Sequence, residues 1–310
     1  MPGSIESSYA YCNQVARSAA RNFYYGFLLL PRPKRMALCA AYAYMRRIDD
    51  LADTPGPVET KRQSLAEWRR LTERALEGRP NQEPVWPALI DTVERFHIPP
   101  RYLLDVVAGA EMDLEDTVYE TFTDLRRYCY HVAGAGGLVC LYVFGFNDPR
   151  APDLAEQMGI AFQLTNILRD LGQDWRMGRV YLPGEDLRRF GCGREDLGRN
   201  SAPSGPLAEM LRFEAQRAWE CYREAWALVP LVSEDSRRAL WALARIYSGL
   251  LEEIERRQFD VFSGRVRLSM AEKIAILLWA RLGPAGSYEF KQRDRSWRGL
   301  GWALLRHRAR

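Results

Sequence analysis

Apolar residues recur at the spacing of amphipathic helices along nearly the whole chain, and proline and glycine clusters break that rhythm at Thr54–Pro57, Gly78–Pro87, Ile98–Pro100 and Ser201–Pro206. The rhythm predicts helices near residues 4–20, 33–53, 59–77, 86–96, 100–113, 122–143, 151–174, 206–228, 233–257 and 269–282. No strand-length stretch alternates with period two, and no internal repeat or low-complexity tract is present, so the expected architecture is one all-α bundle. Two irregular segments, Trp175–Pro183 and Gln258–Leu268, follow long helices, and each carries two arginines. Loops of this kind often close over a site.

Two of the helices carry an unexpected polar stripe. On the first, Tyr42, Arg46, Asp49 and Asp53 fall at i, i+4, i+7 and i+11 of a helix otherwise built from Met36, Leu38, Cys39, Ala40, Ala43 and Met45. The second carries Gln163, Asn166, Asp170 and Asp174, flanked by Phe162, Leu164, Ile167 and Leu168. Each aspartate pair is spaced i, i+4, so like charges share a face and repel by a few tenths of a kcal/mol unless a cation joins them. A solvated face is the bland alternative, but the flanking apolar residues leave little room for one. Magnesium prefers oxygen ligands and typically takes one or two carboxylates plus substrate phosphate. Two facing acidic helices would therefore suit metal-bridged diphosphates. Only His97, His131 and His307 occur, which gives zinc or di-iron sites little support, and His131 reads as a packed helix residue.

At 310 residues, 47% hydrophobic and 27% charged, the chain has ordinary globular composition and length enough for a sizeable core. Its net charge of +4 is too small for a nucleic-acid footprint. Six cysteines show no CxxC spacing and lie mostly among apolar helical residues, as free thiols in a reducing compartment would. The opening MPGSIESSYAYCNQ is polar where a signal peptide needs an apolar stretch, and the longest apolar run, Gly137–Phe146, is far short of the roughly 18–20 residues that span a bilayer. A cytoplasmic protein is expected. The basic tail from about residue 287 carries seven Arg or Lys residues within Lys291–Arg310, together with Trp297 and Trp302, and reads as a solvated tail or as a peripheral membrane contact.

Five segments carry a family resemblance: FYYGFLLLPRPKR (Phe23–Arg35), YAYMRRIDDLAD (Tyr42–Asp53), YCYHVAGAGG (Tyr128–Gly137), QLTNILRDLGQDWRMGRVYLP (Gln163–Pro183) and RVRLS (Arg265–Ser269). In sequence and order they resemble the squalene and phytoene synthase family, over about residues 15–283. The resemblance implies a single-domain, all-α isoprenoid synthase bundle with a central apolar cavity, spanning 1–310, in which two prenyl diphosphates are joined head to head. It implies two or three magnesium ions held by Asp49, Asp53, Asn166, Asp170 and Asp174. It also implies diphosphate contacts from Arg46, Arg169 and Arg265, and orientation of the second substrate by Gln163 and Asn166. Arg21, Asn22, Phe23, Tyr25 and Tyr42 are assigned to substrate binding on the same basis. Phe23, Tyr25, Tyr42, Tyr128 and Tyr247 are assigned to the cation-stabilising aromatic wall, with hydrogen bonding to diphosphate or proton movement as further roles of Tyr128 and Tyr247. Gly134, Gly136 and Gly137 read either as room for a prenyl chain or as close helix packing. The chain departs from the family pattern in two places: Ala20, Arg21 and Asn22 stand where many relatives carry serines, and Gln173 where glutamate is common.

The segments Glu111–Asp116 and Val132–Gly145 look most like bacterial presqualene diphosphate synthases, so the main expectation is condensation of two farnesyl diphosphates to a C30 product. Phytoene synthesis from two geranylgeranyl diphosphates is the alternative, and a non-catalytic helical scaffold a further one. No GxGxxG follows a predicted strand, so NADPH use is not favoured, although reductase activity in this family does not depend on that fingerprint.

Overall fold

A computed structural model describes residues 4–19, 21–115, 118–198 and 202–283. Among them run α1 (Ile5–Ala19), α2 (Arg21–Phe27), α3 (Arg32–Asp53), α4 (Val58–Leu76), α5 (Trp86–Phe96), α6 (Pro100–Met112) and α7 (Phe122–Cys129). They are followed by α8 (Ala135–Phe144), α9 (Ala151–Arg176), α10 (Gly184–Arg189), α11 (Gly205–Ala225), α12 (Glu234–Arg256) and α13 (Met270–Leu282). The described residues contain no strand, only one isolated bridge between Phe146 and Val232.

The prolines that break the apolar rhythm start the helices. Pro33, Pro87, Pro100, Pro152 and Pro206 each sit in the first turn of their helix, where the missing N–H costs nothing and φ is already set. Thr121 with Asp124 and Ser269 with Glu272 form reciprocal capping boxes at the starts of α7 and α13.

The structure departs from the sequence reading in three places. The short helices α2 and α10 have no predicted counterpart, because six or seven residues are too few to display a helical period. The helix expected over 122–143 is broken by a π turn at Tyr130–Gly134 between α7 and α8. The helix expected to 228 tightens at Trp226 into a 3₁₀ segment containing Pro230.

Helix α8 (AGGLVCLYVF) is apolar all round, as a helix buried on every side must be, and it packs against α3, α6 and α9. Around it, α9 also lies on α11 and α12, while α3 lies on α1, α4 and α5. The long helices carrying the two polar stripes are thus both seated on the central helix. Glycines permit the closest approaches: a Cβ on Gly159 of α9 would stand 2.7 Å from the carbonyl oxygen of Ala133 and 2.8 Å from the Cα of Gly134 in the π turn. Gly134 is therefore explained by packing, Gly137 both packs on the Ala155 carbonyl and lines a cavity, and Gly136 faces the thioether end of Met45 and lines the same cavity. His131 sits half-buried with Nδ1 3.3 Å from the Asp105 carbonyl oxygen. All six cysteines are free thiols. Among the described residues no helix is long and apolar enough to cross a membrane, and the basic tail lies outside those residues.

Candidate active site

On α3, Ala37, Leu38, Ala41, Tyr44, Ile48 and Ala52 face the core, which turns Arg46, Asp49 and Asp53 to the opposite side. On α9, Leu164, Ile167, Leu168 and Leu171 are buried and turn Gln163, Asn166, Asp170 and Asp174 the other way. These seven polar residues line one cavity of about 390 Å³ between the two helices. The stripes therefore face each other rather than bulk solvent.

The carboxylates are not electrostatically alike. Asp49 is reached by water within the cleft yet surrounded by protein; burial first, and the neighbouring Asp53 and Asp50 next, raise its carboxyl to about 7 against the opposing pull of Arg46. Burial and Asp170 likewise push Asp174 up to about 7. Burial also works against the charge on Asp170, but two guanidiniums outweigh it and hold the carboxyl below its ordinary value. Arg169 Nε donates to Asp170 Oδ1 at 2.9 Å, and its Nη2 donates to Oδ2. Arg265, from the irregular segment after α12, donates to the same two oxygens at 3.0 and 3.2 Å. Arg46 pairs with Asp50 at 2.6 Å on the cavity rim. All three nominated arginines are thus held by aspartates.

Among the described residues no three acids converge tightly enough to hold a metal ion by protein atoms alone. Each helix instead offers a pair, and Asn166 adds a buried Oδ1 with no hydrogen-bond partner, while its Nδ2 donates to Gln163 Oε1 at 3.3 Å. An orphaned carbonyl oxygen beside raised carboxylates is the donor set that a hard cation completes, with the remaining oxygens coming from phosphate and water. The residues present fit magnesium.

Beside the polar cavity lies an apolar one of about 330 Å³, which shares Arg46, Asp49, Gln163 and Asn166 with it and continues past Met45, Gly136, Met158, Phe162 and Leu243 toward Phe144 and Leu228. Phe162 stacks on Tyr247 at 4.3 Å between ring centroids, and Phe23 lies 5.4 Å from Tyr247. Phe23, Tyr42 and Tyr247 also border a third hollow of about 950 Å³, where Arg17, Tyr25, Arg169 and Arg265 appear and Asp49 is again exposed. Tyr25 therefore lines this outer hollow and not the apolar cavity. Tyr128, expected in the aromatic wall, instead lines the acidic cavity, because its hydroxyl is drawn to a carboxylate there. The side chains of Arg21 and Asn22 lie outside those described.

Three lining residues escaped the sequence reading: Asp113, Arg179 and Tyr181. Asp113 Oδ1 accepts from Tyr128 Oη at 2.8 Å and from Tyr181 Oη at 3.0 Å. The rings of Tyr128 and Tyr181 stack at 5.1 Å, with Tyr119 packed on both. The signals were present, in the acidic run Glu111–Asp116 and the arginines of Trp175–Pro183, but neither has a periodicity that fixes which side chain turns inward.

A family model described as squalene/phytoene synthase matches residues 16–272. Over 292 residues the chain is 37% identical to a 15-cis-phytoene synthase of Synechocystis sp., covering 90% of this chain and 86% of that protein. It is 39% identical over 274 residues to a phytoene synthase of Mycobacterium tuberculosis, covering 88% and 90%. Its structure superposes on the crystal structure of a ligand-bound dehydrosqualene synthase with a TM-score of 0.83 at 32% identity, covering 89% of this chain and 96% of that one.

Proposed function

Because the chain belongs to the squalene/phytoene synthase family, a family of prenyltransferases that join prenyl diphosphates head to head, we propose that it condenses two geranylgeranyl diphosphates to phytoene. The observation that carries this reading is the continuity of the acidic cavity with the apolar one through Asp49, Gln163 and Asn166. A diphosphate at the polar end leaves its hydrocarbon lying along the apolar end. Two phytoene synthases at 37% and 39% identity favour the C20 substrate over the farnesyl reading drawn from the Glu111–Asp116 and Val132–Gly145 segments.

Asp49, Asp53, Asn166, Asp170 and Asp174 are the residues that would hold magnesium, which when bound neutralises diphosphate charge and acts as a Lewis acid for breaking the C–O bond. Arg169 and Arg265, already converged on Asp170, stand where a departing diphosphate needs bidentate cationic donors, with Arg46 on the rim. Arg179 adds a further guanidinium to the lining of the acidic cavity, beside Arg46 and Arg169. The faces of Phe23, Phe162 and Tyr247 border the apolar end and keep water from the allylic cation while offering it cation-π stabilisation.

The test is to incubate the protein with magnesium and either farnesyl or geranylgeranyl diphosphate, with and without NADPH, and identify the organic-extractable product. The expected result is a C40 hydrocarbon from geranylgeranyl diphosphate, unaffected by NADPH. A higher kcat/KM with farnesyl diphosphate and a C30 product would overturn the C20 assignment, and turnover of neither substrate would leave a non-catalytic scaffold.

A further inference from the structure

Joining two prenyl diphosphates without a reductant sheds two diphosphates and two protons. One proton leaves when an allylic cation, having added to the second chain, closes a cyclopropane. The other leaves when the rearranged cation becomes an alkene. Each loss needs a base next to a water-free hydrocarbon, and the acids of α3 and α9 are committed to cation and diphosphate binding in the reading above, on which this inference rests.

We propose that Asp113 is the proton acceptor for these steps, reached through Tyr128. Tyr128 is 2% exposed, and its hydroxyl hydrogen is directed onto Asp113 Oδ1 at 2.8 Å, so the phenol oxygen presents only lone pairs to the acidic cavity that it lines. A substrate proton moves to Tyr128 Oη while the phenolic proton passes to Asp113 Oδ1. The electron pair of the broken C–H bond becomes the new ring bond or double bond, the phenol is restored, and Asp113 is left as the neutral acid. Tyr181 Oη donates to the same Oδ1 at 3.0 Å and holds the acceptor oxygen in place, so Tyr181 is a positioning residue.

Asp113 also has a way to lose the proton. It lines a second cavity of about 380 Å³ on the far side of the tyrosines, together with Glu115, Tyr119, Arg179, Tyr181 and Arg194. Asp113, Arg179 and Tyr181 border both cavities and form the partition between them. A proton taken from the substrate side can therefore leave to water on the other. The groups facing Asp113 are Asp49 and Asp53 from α3, Tyr128 from α7, Asp174 from α9, Tyr119 from the segment before α7, and Arg179 and Tyr181 from the segment after α9.

The test uses the full chain with magnesium and whichever prenyl diphosphate the wild type consumes faster. Asp113→Asn keeps an oxygen for both phenols but cannot accept a proton, and Tyr128→Phe removes the link. Each is expected to lower kcat by about 10²–10⁴-fold with KM within about threefold, and the double variant to be no slower than the slower single one. Tyr181→Phe leaves the relay in place but frees the acceptor oxygen on one side, and is expected to lower kcat less than either relay variant, with KM within about threefold. An Asp113→Asn enzyme with wild-type kcat, alongside an impaired Asp113→Ala, would reduce Asp113 to a structural acceptor and overturn the relay. So would a Tyr128→Phe enzyme with wild-type kcat, a measurement that stands even if the Asp113 variants fail to fold. A wild type that prefers farnesyl diphosphate overturns the C20 reading while the same kcat ratios still decide the relay; a wild type inert to both substrates overturns both.

Discussion

Asp49 and Asp170 occupy matching places in two similar stripes but are held differently. Asp49 is a carboxyl that burial disfavours as an anion, whereas Asp170 is an anion secured by Arg169 and Arg265. Their replacement should therefore separate activity from stability. Asp49→Asn and Asp174→Asn are expected to abolish product formation yet melt at or above the wild-type temperature near pH 8, since each removes a charge that the fold resists. Asp170→Asn is expected to abolish product as well but to cost about 1–3 kcal/mol, because two guanidiniums lose a shared partner. Turnover assays with circular-dichroism melts check this. Substantial residual activity in Asp49→Asn would count against the metal assignment, and an unchanged melt of Asp170→Asn against the stabilising role of the two ion pairs.

At the scale of elements, the site depends on how closely α9 approaches the π turn. The extra residue that the turn admits between α7 and α8 lets Tyr128 remain on the acidic cavity while α8 presents Gly136 to the apolar one. Gly159 is where the approach is tightest, since its absent Cβ would meet backbone atoms that have nowhere to go. Gly159→Ala is expected to lose about 1–3 kcal/mol of stability and to lower kcat through displacement of Asn166 and Asp170, about two and three turns along the same helix. Gly136→Ala would meet only the flexible end of Met45 at 3.4 Å and should fold normally. Chemical denaturation of both variants tests the contrast, and equal stability of the two would refute it. A second link ties the missed residues into place: Gly184 N–H donates to the Tyr119 carbonyl oxygen, and Glu185 N–H to that of Glu120, both at 2.9 Å. The segment carrying Arg179 and Tyr181 is thereby tied to the one preceding α7.

For the molecule as a whole, raised acids make stability depend on pH in a definite direction. The Asp49 and Asp174 carboxyls lie at about 7 in the folded protein, and Glu214, buried beside Asp186 and Arg217, at about 8. An unfolded carboxyl titrates near about 4, so between about pH 4 and 7 the folded chain holds protons that the unfolded chain releases, and stability falls as pH rises through that window. Magnesium with inorganic diphosphate requires the charged aspartates, so the increase in melting temperature that it produces should be larger at about pH 8 than at about pH 5.5. Scanning fluorimetry at both pH values measures it, and equal shifts would contradict the assignment of Asp49 and Asp174 as ligands. The chain's apolar period, its proline placement and the i, i+4 aspartates were enough to specify an all-α protein with two acidic helices, because helical periodicity and capping are local properties. Family-like segments added the head-to-head chemistry. What the linear order could not express was the partnership of side chains distant along the chain but adjacent in space: Arg265 on Asp170, Asp113 beneath Tyr128 and Tyr181, and an apolar cavity opening onto the acids. Those depend on which faces of separate helices meet, and that is decided only when α3, α6 and α9 close around α8 and bury their apolar sides together.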